Sequence, residues 1–249
     1  HFKAAARCQP AEPGIHLGMA NSHQLLGDTA SAEACLEKEL MVSPDSAQAA
    51  VNLGWILEEQ NRVPEALMQY RKALYYNPNH PDLRWNHGLA CLMLGDYARG
   101  WRDYEFRWKA RNKQKPPLNS PEWKGDPLDN RSLLLYTEQG FGDTIMFLRF
   151  AQQMSRANNR ISLQCQPQLK RFFSAQPEFE NVVAKGEKRP AHDLHAPLMS
   201  LPHLLKLTRE NDFHSQAYLS PDELSPVPIP KAKLGHKKVA IAWTSAPHS

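Results

Sequence analysis

A 34-residue period runs through the first half of this chain and constrains its fold more than any other feature. Pro10, Pro44 and Pro78 share one phase of it. Phe2, Leu36, Tyr70 and Tyr104 share a second, and Ala5, Glu39, Ala73 and Arg107 a third. Small residues fill two more columns: Ala20, Gly54 and Gly88, then Ala32, Ala66 and Gly100. A repeat of this length fits two helices and their turns. Small residues let antiparallel helices approach, and the large residue four places later fills the gap between hairpins. The proline follows a second helix, which it cannot continue. The columns predict helix pairs at 13–46, 47–80 and 81–114, with 1–12 as the tail of an earlier second helix. The chain starts at His1, so the start is expected inside a repeat.

Units of this kind resemble tetratricopeptide repeats, helix–turn–helix hairpins that stack into a solenoid. In such an array the first helices line the inner groove. Asn52 and Asn86 share a phase there, beside Gln48, Trp55, Glu58, Trp85 and Leu89. A primary amide donates and accepts at once, which suits an extended main chain. The pair resembles the asparagine ladder of O-GlcNAc transferase repeats, which implies a peptide or protein partner. The earlier repeat has Gly18 at this phase, so two rungs are expected. The alternative is that both asparagines simply face solvent.

Composition excludes several classes. The chain is 41% hydrophobic and 22% charged, enough apolar mass for a core. A net charge of +4 is too mild to indicate nucleic-acid binding. Cys8, Cys35, Cys91 and Cys165 lie far apart, with no CxxC pair. That pattern argues against zinc and disulfides, and for a reducing compartment, hence a cytoplasmic location. No apolar run approaches the roughly 18 residues of a membrane span. No metal or cofactor is expected.

The repeat ends in the basic run Arg107, Lys109, Arg111, Lys113 and Lys115. A helix C-terminus favours such cations. Pro116, Pro117, Pro121 and Pro127 then predict an extended linker over 115–131, with Trp123 packing on the next domain.

From 132 the pattern changes to α/β. Ser132–Tyr136 reads as a buried strand, Thr144–Ala157 as an amphipathic helix, Arg160–Gln166 as a strand and Gln168–Gln176 as a helix. The Gly-Phe-Gly-Asp turn between the first two is the candidate ligand site. Gly140 and Gly142 allow positive φ and close approach of a ligand. A third glycine of the dinucleotide fingerprint would fall at Ile145, so that fingerprint fails. Asp143 at the helix start reads as an N-cap and would repel a phosphate seated there.

The ordered segments "LLLYTEQGFGDTIMFLRFA", "LQCQPQLKRFF", "DLHAPLMSLP", "AYL" and "KVAIAW" resemble bacterial proteins that fuse tetratricopeptide repeats to a glycosyltransferase domain. That domain is related to heptosyltransferases and, distantly, to O-GlcNAc transferase. The resemblance implies a Rossmann-like N-terminal half of a GT-B glycosyltransferase over 132–230, and the first strand of a second half over 231–249. It implies a nucleotide-sugar donor as substrate. It matches Asp143 to the general base on an acceptor hydroxyl, the alternative being a structural cap. Gln139, Gly140, Gly142, Thr144 and His195 would line the acceptor cleft, His195 being equally readable as a core histidine. Thr244 and Ser245 would meet a donor phosphate, although Trp243-Thr244-Ser245-Ala246-Pro247 lacks the Gly and Asn common at that turn. With so little of the donor half, this polypeptide by itself is expected to be inactive. The competing reading is a non-catalytic scaffold whose repeats bind a protein partner.

Overall fold

The structure is a computed structural model that describes residues 12–138, 140–155 and 160–213. The repeat half is three helix pairs: α1 (Ile15–Leu25) with α2 (Thr29–Val42), α3 (Ala47–Glu59) with α4 (Val63–Tyr76), and α5 (Pro81–Met93) with α6 (Tyr97–Tyr104). A single-turn helix, α7 (Arg107–Ala110), follows. The turns inside the pairs repeat as well. Gly27, Asn61 and Gly95 have φ of 73°, 60° and 78°, one left-handed residue per hairpin. Capping side chains begin several helices: Asp28 accepts from Ser31 N, Ser46 from Ala49 N and Asp96 from Arg99 N. Helix α1 has Gly14 in that place and is capped from outside. The buried Glu39 carboxylate accepts from Gly14 N at 2.7 Å and Leu17 N at 3.1 Å.

The columns do what their sizes require. Ala20, Ala32, Ala66, Leu36 and Tyr70 are fully buried in one repeat core. A Cβ on Gly54 would overlap the ring of Tyr70. One on Gly88 would lie 2.8 Å from Tyr104 N. In the third pair the buried Asp103 carboxylate holds His87 Nδ1 at 2.8 Å and also meets Arg84 and Arg102. Burial pushes this carboxyl up, but those hydrogen bonds hold it below the ordinary aspartate value.

The α/β half is β1 (Leu133–Tyr136), α8 (Phe141–Ser155), β2 (Ile161–Cys165), α9 (Pro167–Ser174), β3 (Asn181–Ala184), β4 (Leu194–Pro197) and the short α10 (Leu201–Leu204). The four strands form a parallel sheet in the order β3-β2-β1-β4. Strands β1, β2 and β4 are buried along their whole length, with the polar side chains of Ser162, Gln164 and His195 buried among the apolar ones. This small sheet bears out the expected β/α alternation; strand order alone does not specify a glycosyltransferase half.

The sheet has two chemically different faces. Leu133, Leu135, Ile161, Leu163, Leu194 and Ala196 join Phe147, Leu148 and Ala151 of α8 in one core. Strand alternation places Leu134, Tyr136, Ser162, Gln164 and His195 on the opposite face. The α8 core continues into the third helix pair. Tyr104 belongs to it, and Trp85, Leu89, Leu92 and Trp101 pack against it. Trp101 lies edge-on to Phe147, ring centres 5.8 Å apart.

The expected linker is pinned to the sheet. His195 N donates to Pro121 O at 3.1 Å and Trp123 N donates to His195 O at 2.8 Å, so 121–123 run along the β4 edge. Trp123 is buried, as expected. Only Arg107 and Lys109 of the basic run lie within α7. Among the described residues, no helix is long and apolar enough to cross a membrane. Cys35, Cys91 and Cys165 are buried thiols.

Candidate functional site

The expected peptide groove is the face shared by the first helices α1, α3 and α5. Gln48, Asn52 and Trp55 lie three to four residues apart on α3 and therefore on one stripe of it. Gln48 Nε2 donates to Asn52 Oδ1 at 2.7 Å, and Asn52 Nδ2 donates to Asn21 Oδ1 on α1 at 3.2 Å. Three amides thus form a chain across two repeats. Trp55 stands 52% exposed beside them.

Asn21 lies outside the two rungs expected for this chain of amides. It sits one turn beyond Gly18, the position the ladder assigns, and shares the phase of Trp55 and Leu89. An amide reaching from the next turn replaces the missing rung. The sequence signal is a polar residue in an otherwise apolar or aromatic column.

Trp85 departs from the expected groove. Its ring packs against the sheet core, and the Arg111 guanidinium lies over it at 4.5 Å. Leu89 is drawn into the same contact. The α/β half therefore occupies the α5 end of the shared face. Asn86 is half-buried at that end, and the open stretch spans α1 and α3.

At the C-terminal edge of the sheet, the Gly-Phe-Gly-Asp segment is mostly helix. Helix α8 starts at Phe141, so Asp143 is its third residue and not its N-cap. A carboxylate in the first turn still interacts favourably with the helix dipole. Gly142 lies in the helix, and the positive-φ glycines lie elsewhere, at Gly14, Gly27, Gly95, Gly125 and Gly186. A Cβ on Gly142 would meet nothing within 4 Å, so this glycine does leave open space. Asp143 is half-buried, and Thr144 is buried.

A polar knot with no signal in the sequence ties this edge together. Thr144 Oγ1 donates to Gly140 O at 3.0 Å. Gln166 Nε2 donates to Thr144 Oγ1 at 3.0 Å, and Gln166 Oε1 accepts from Thr137 Oγ1 at 3.2 Å. One glutamine after β2 thus fixes the end of β1 and the start of α8. Thr144 is a structural member of that knot.

His195 is not brought to Asp143. It occupies the sheet face opposite α8, beneath the 120–123 segment. Its Nδ1 pairs with Ser120 Oγ at 2.9 Å, and burial lowers its pKa against the pull of Glu122. That is the core-histidine arrangement. Asp193 sits at the far end of the sheet, where Oδ2 accepts from Ser132 N and Oγ at 2.8 Å. Gln139, Thr244 and Ser245 lie outside the described residues. Among the described residues, no group of three His, Cys, Asp or Glu is arranged to hold a metal ion.

Comparison with known proteins bears on the first half. The tetratricopeptide repeat family model matches residues 17–75, which span most of α1 through α4. Those helix pairs are tetratricopeptide repeats. The chain is similar to Protein FlbA of Caulobacter vibrioides, 27% identical over 128 residues, covering 49% of this chain and 21% of that protein. It is also similar to the peroxisomal targeting signal receptor of Candida albicans, 36% identical over 63 residues, covering 25% of this chain and 11% of that protein. The chain thus spans a small part of the length of either relative. Among solved structures, MamA is 19% identical with a TM-score of 0.39, covering 45% of this chain and 61% of that one. A variant of the Thermobaculum terrenum O-GlcNAc transferase is 16% identical with a TM-score of 0.36, covering 68% and 40%. Both scores are low, and the repeat assignment rests on the family model and the helix geometry.

Proposed function

We propose that this chain is a repeat-built interaction scaffold that holds an extended peptide segment of a protein partner along the open face of α1 and α3. The carrying observation is the Gln48–Asn52–Asn21 amide chain beside the exposed Trp55. Each amide in that chain has donor or acceptor capacity left for a peptide backbone. Trp55 supplies the apolar anchor that such interfaces favour. Sheet packing at Trp85 and Leu89 makes the third repeat a stop, so the bound segment crosses two repeats. The test is a peptide array followed by titration of selected peptides. Binding that depends on Asn52 and Trp55 supports the reading. Binding that ignores both contradicts it.

A second reading is sugar transfer from a nucleotide-sugar donor, with Asp143 as general base. It draws on the half-buried carboxylate in the first turn of α8, at the strand edge where open α/β sheets take ligands. Asp143→Asn should then lower transfer by roughly 10²- to 10⁴-fold wherever the parent protein shows it. Unaltered transfer in the variant would leave Asp143 with a helix-dipole role.

A further inference from the structure

At the join between the repeats and the sheet lies a cavity of about 360 Å³. It is lined at the C-terminal end of the sheet by Tyr136 of β1, Thr137 just after it and Gln164 of β2. Trp108 and Pro116 are its apolar lining side chains. Arg111, Lys113, Lys185 and Arg189 also line it. Glu138, the sole carboxylate among the lining residues, is engaged by Arg107 at 2.6 and 2.9 Å. The other cations thus face a space with no carboxylate of their own. Among the described residues Arg189 reaches only the neutral oxygens of Gln164 and Pro117, and Arg111 lies on the Trp85 ring.

Two buried donors in this lining have no acceptor among the described residues: Tyr136 Oη and Trp108 Nε1. Tyr136 is only 2% exposed. A buried donor left unpaired is costly. Both would be satisfied by a guest rich in acceptor oxygens.

We propose that this cavity binds a small organic phosphate. The phosphoryl oxygens accept from Tyr136 Oη and Trp108 Nε1 and pair with Lys113 and Lys185. The organic part rests against Trp108 and Pro116. The volume falls in the roughly 300–1,000 Å³ range of small-ligand pockets. The C-terminal end of parallel strands is also where open α/β sheets receive ligands. The basic run at the end of the repeats gains a function here, because Arg111 and Lys113 continue past α7 into the lining. This site is independent of the peptide face on α1 and α3.

The test is calorimetric titration of the 249-residue chain at low salt with inorganic phosphate, AMP and ribose 5-phosphate. Adenosine and citrate serve as controls. AMP and ribose 5-phosphate should saturate the site, and adenosine should not bind. Lys113→Ala combined with Lys185→Ala should weaken binding at least about ten-fold, since each lost charge-assisted bond is a strong one. Tyr136→Phe, which keeps the ring, should weaken it several-fold, with far-UV dichroism unchanged in every variant. The lysine pair keeps the test decisive should Tyr136→Phe fold poorly. No saturable binding of any phosphate, or equal affinity in the lysine variant, would overturn the proposal. Citrate binding as tightly as AMP would overturn its phosphoryl character.

Discussion

Arg107 and Glu138 face each other across the seam between the last repeat and the sheet, joined by hydrogen bonds of 2.6 and 2.9 Å. The guanidinium also bonds Glu105 and Ser200, and its side chain is 2% exposed. Burial opposes its charge, yet Glu138 and Glu105 hold it above the ordinary arginine value. Burial lifts the Glu138 carboxyl in turn, against the pull of Arg107. Neither group can lose its partner cheaply. Arg107→Met should cost about 3–5 kcal/mol, because it strands a buried carboxylate. Arg107→Met with Glu138→Gln should cost much less. Urea unfolding of the parent, both single variants and the double variant measures the coupling directly.

Gly54 and Tyr70 predict a second effect. Gly→Ala in an exposed helix normally gains up to about 1 kcal/mol. Here the new Cβ would enter the ring of Tyr70, which is fully buried. Overpacking of about 1–3 kcal/mol should outweigh the propensity gain, and Gly54→Ala should lower the thermal midpoint. Adding Tyr70→Leu to Gly54→Ala should cost less than the two single changes together. A more stable single variant would show that the hairpins tolerate wider spacing.

A third prediction concerns pH. Burial depresses the folded-state pKa of His195 below that of the unfolded chain. The folded state therefore binds fewer protons in that window. Its contribution to stability is complete above the unfolded value, near pH 6.5, and is lost as pH falls through the folded value. Parent stability should drop more than that of His195→Gln between pH 7.5 and 5. Parallel pH profiles for the two proteins would place His195 outside the acid response.

Much of this architecture is legible in the sequence. The 34-residue columns locate the three hairpins, and the strand readings at Ser132–Tyr136 and Arg160–Gln166 locate β1 and β2. Helix α8 starts three residues before the expected Thr144, because Gly-Phe-Gly reads locally as a turn. The groove departs from expectation at Trp85, which shares the repeat phase of Leu17 and Val51 but is claimed by the sheet. The seam is illegible for a related reason. Glu39, Ala73 and Arg107 occupy one column, yet Glu39 caps α1 and Arg107 grips Glu138, 31 residues away. Repeat phase fixes where a side chain starts; only the fold fixes what it meets. Gln166 likewise has no local signature, since its partners Thr137 and Thr144 lie 29 and 22 residues away.

The scaffold reading turns on the stretch from Asn21 to Trp55. The most direct measurement is calorimetric titration of an array-selected peptide against the parent chain and against Asn52→Ala with Trp55→Ala. Trp55 is exposed and Asn52 is only half-buried, so the variant should fold, which far-UV dichroism checks. Removing one amide rung and the aromatic anchor should lower the affinity at least ten-fold, or by about 1.4 kcal/mol. Equal affinity in the two proteins would contradict the scaffold reading and move the binding surface off the α1–α3 face.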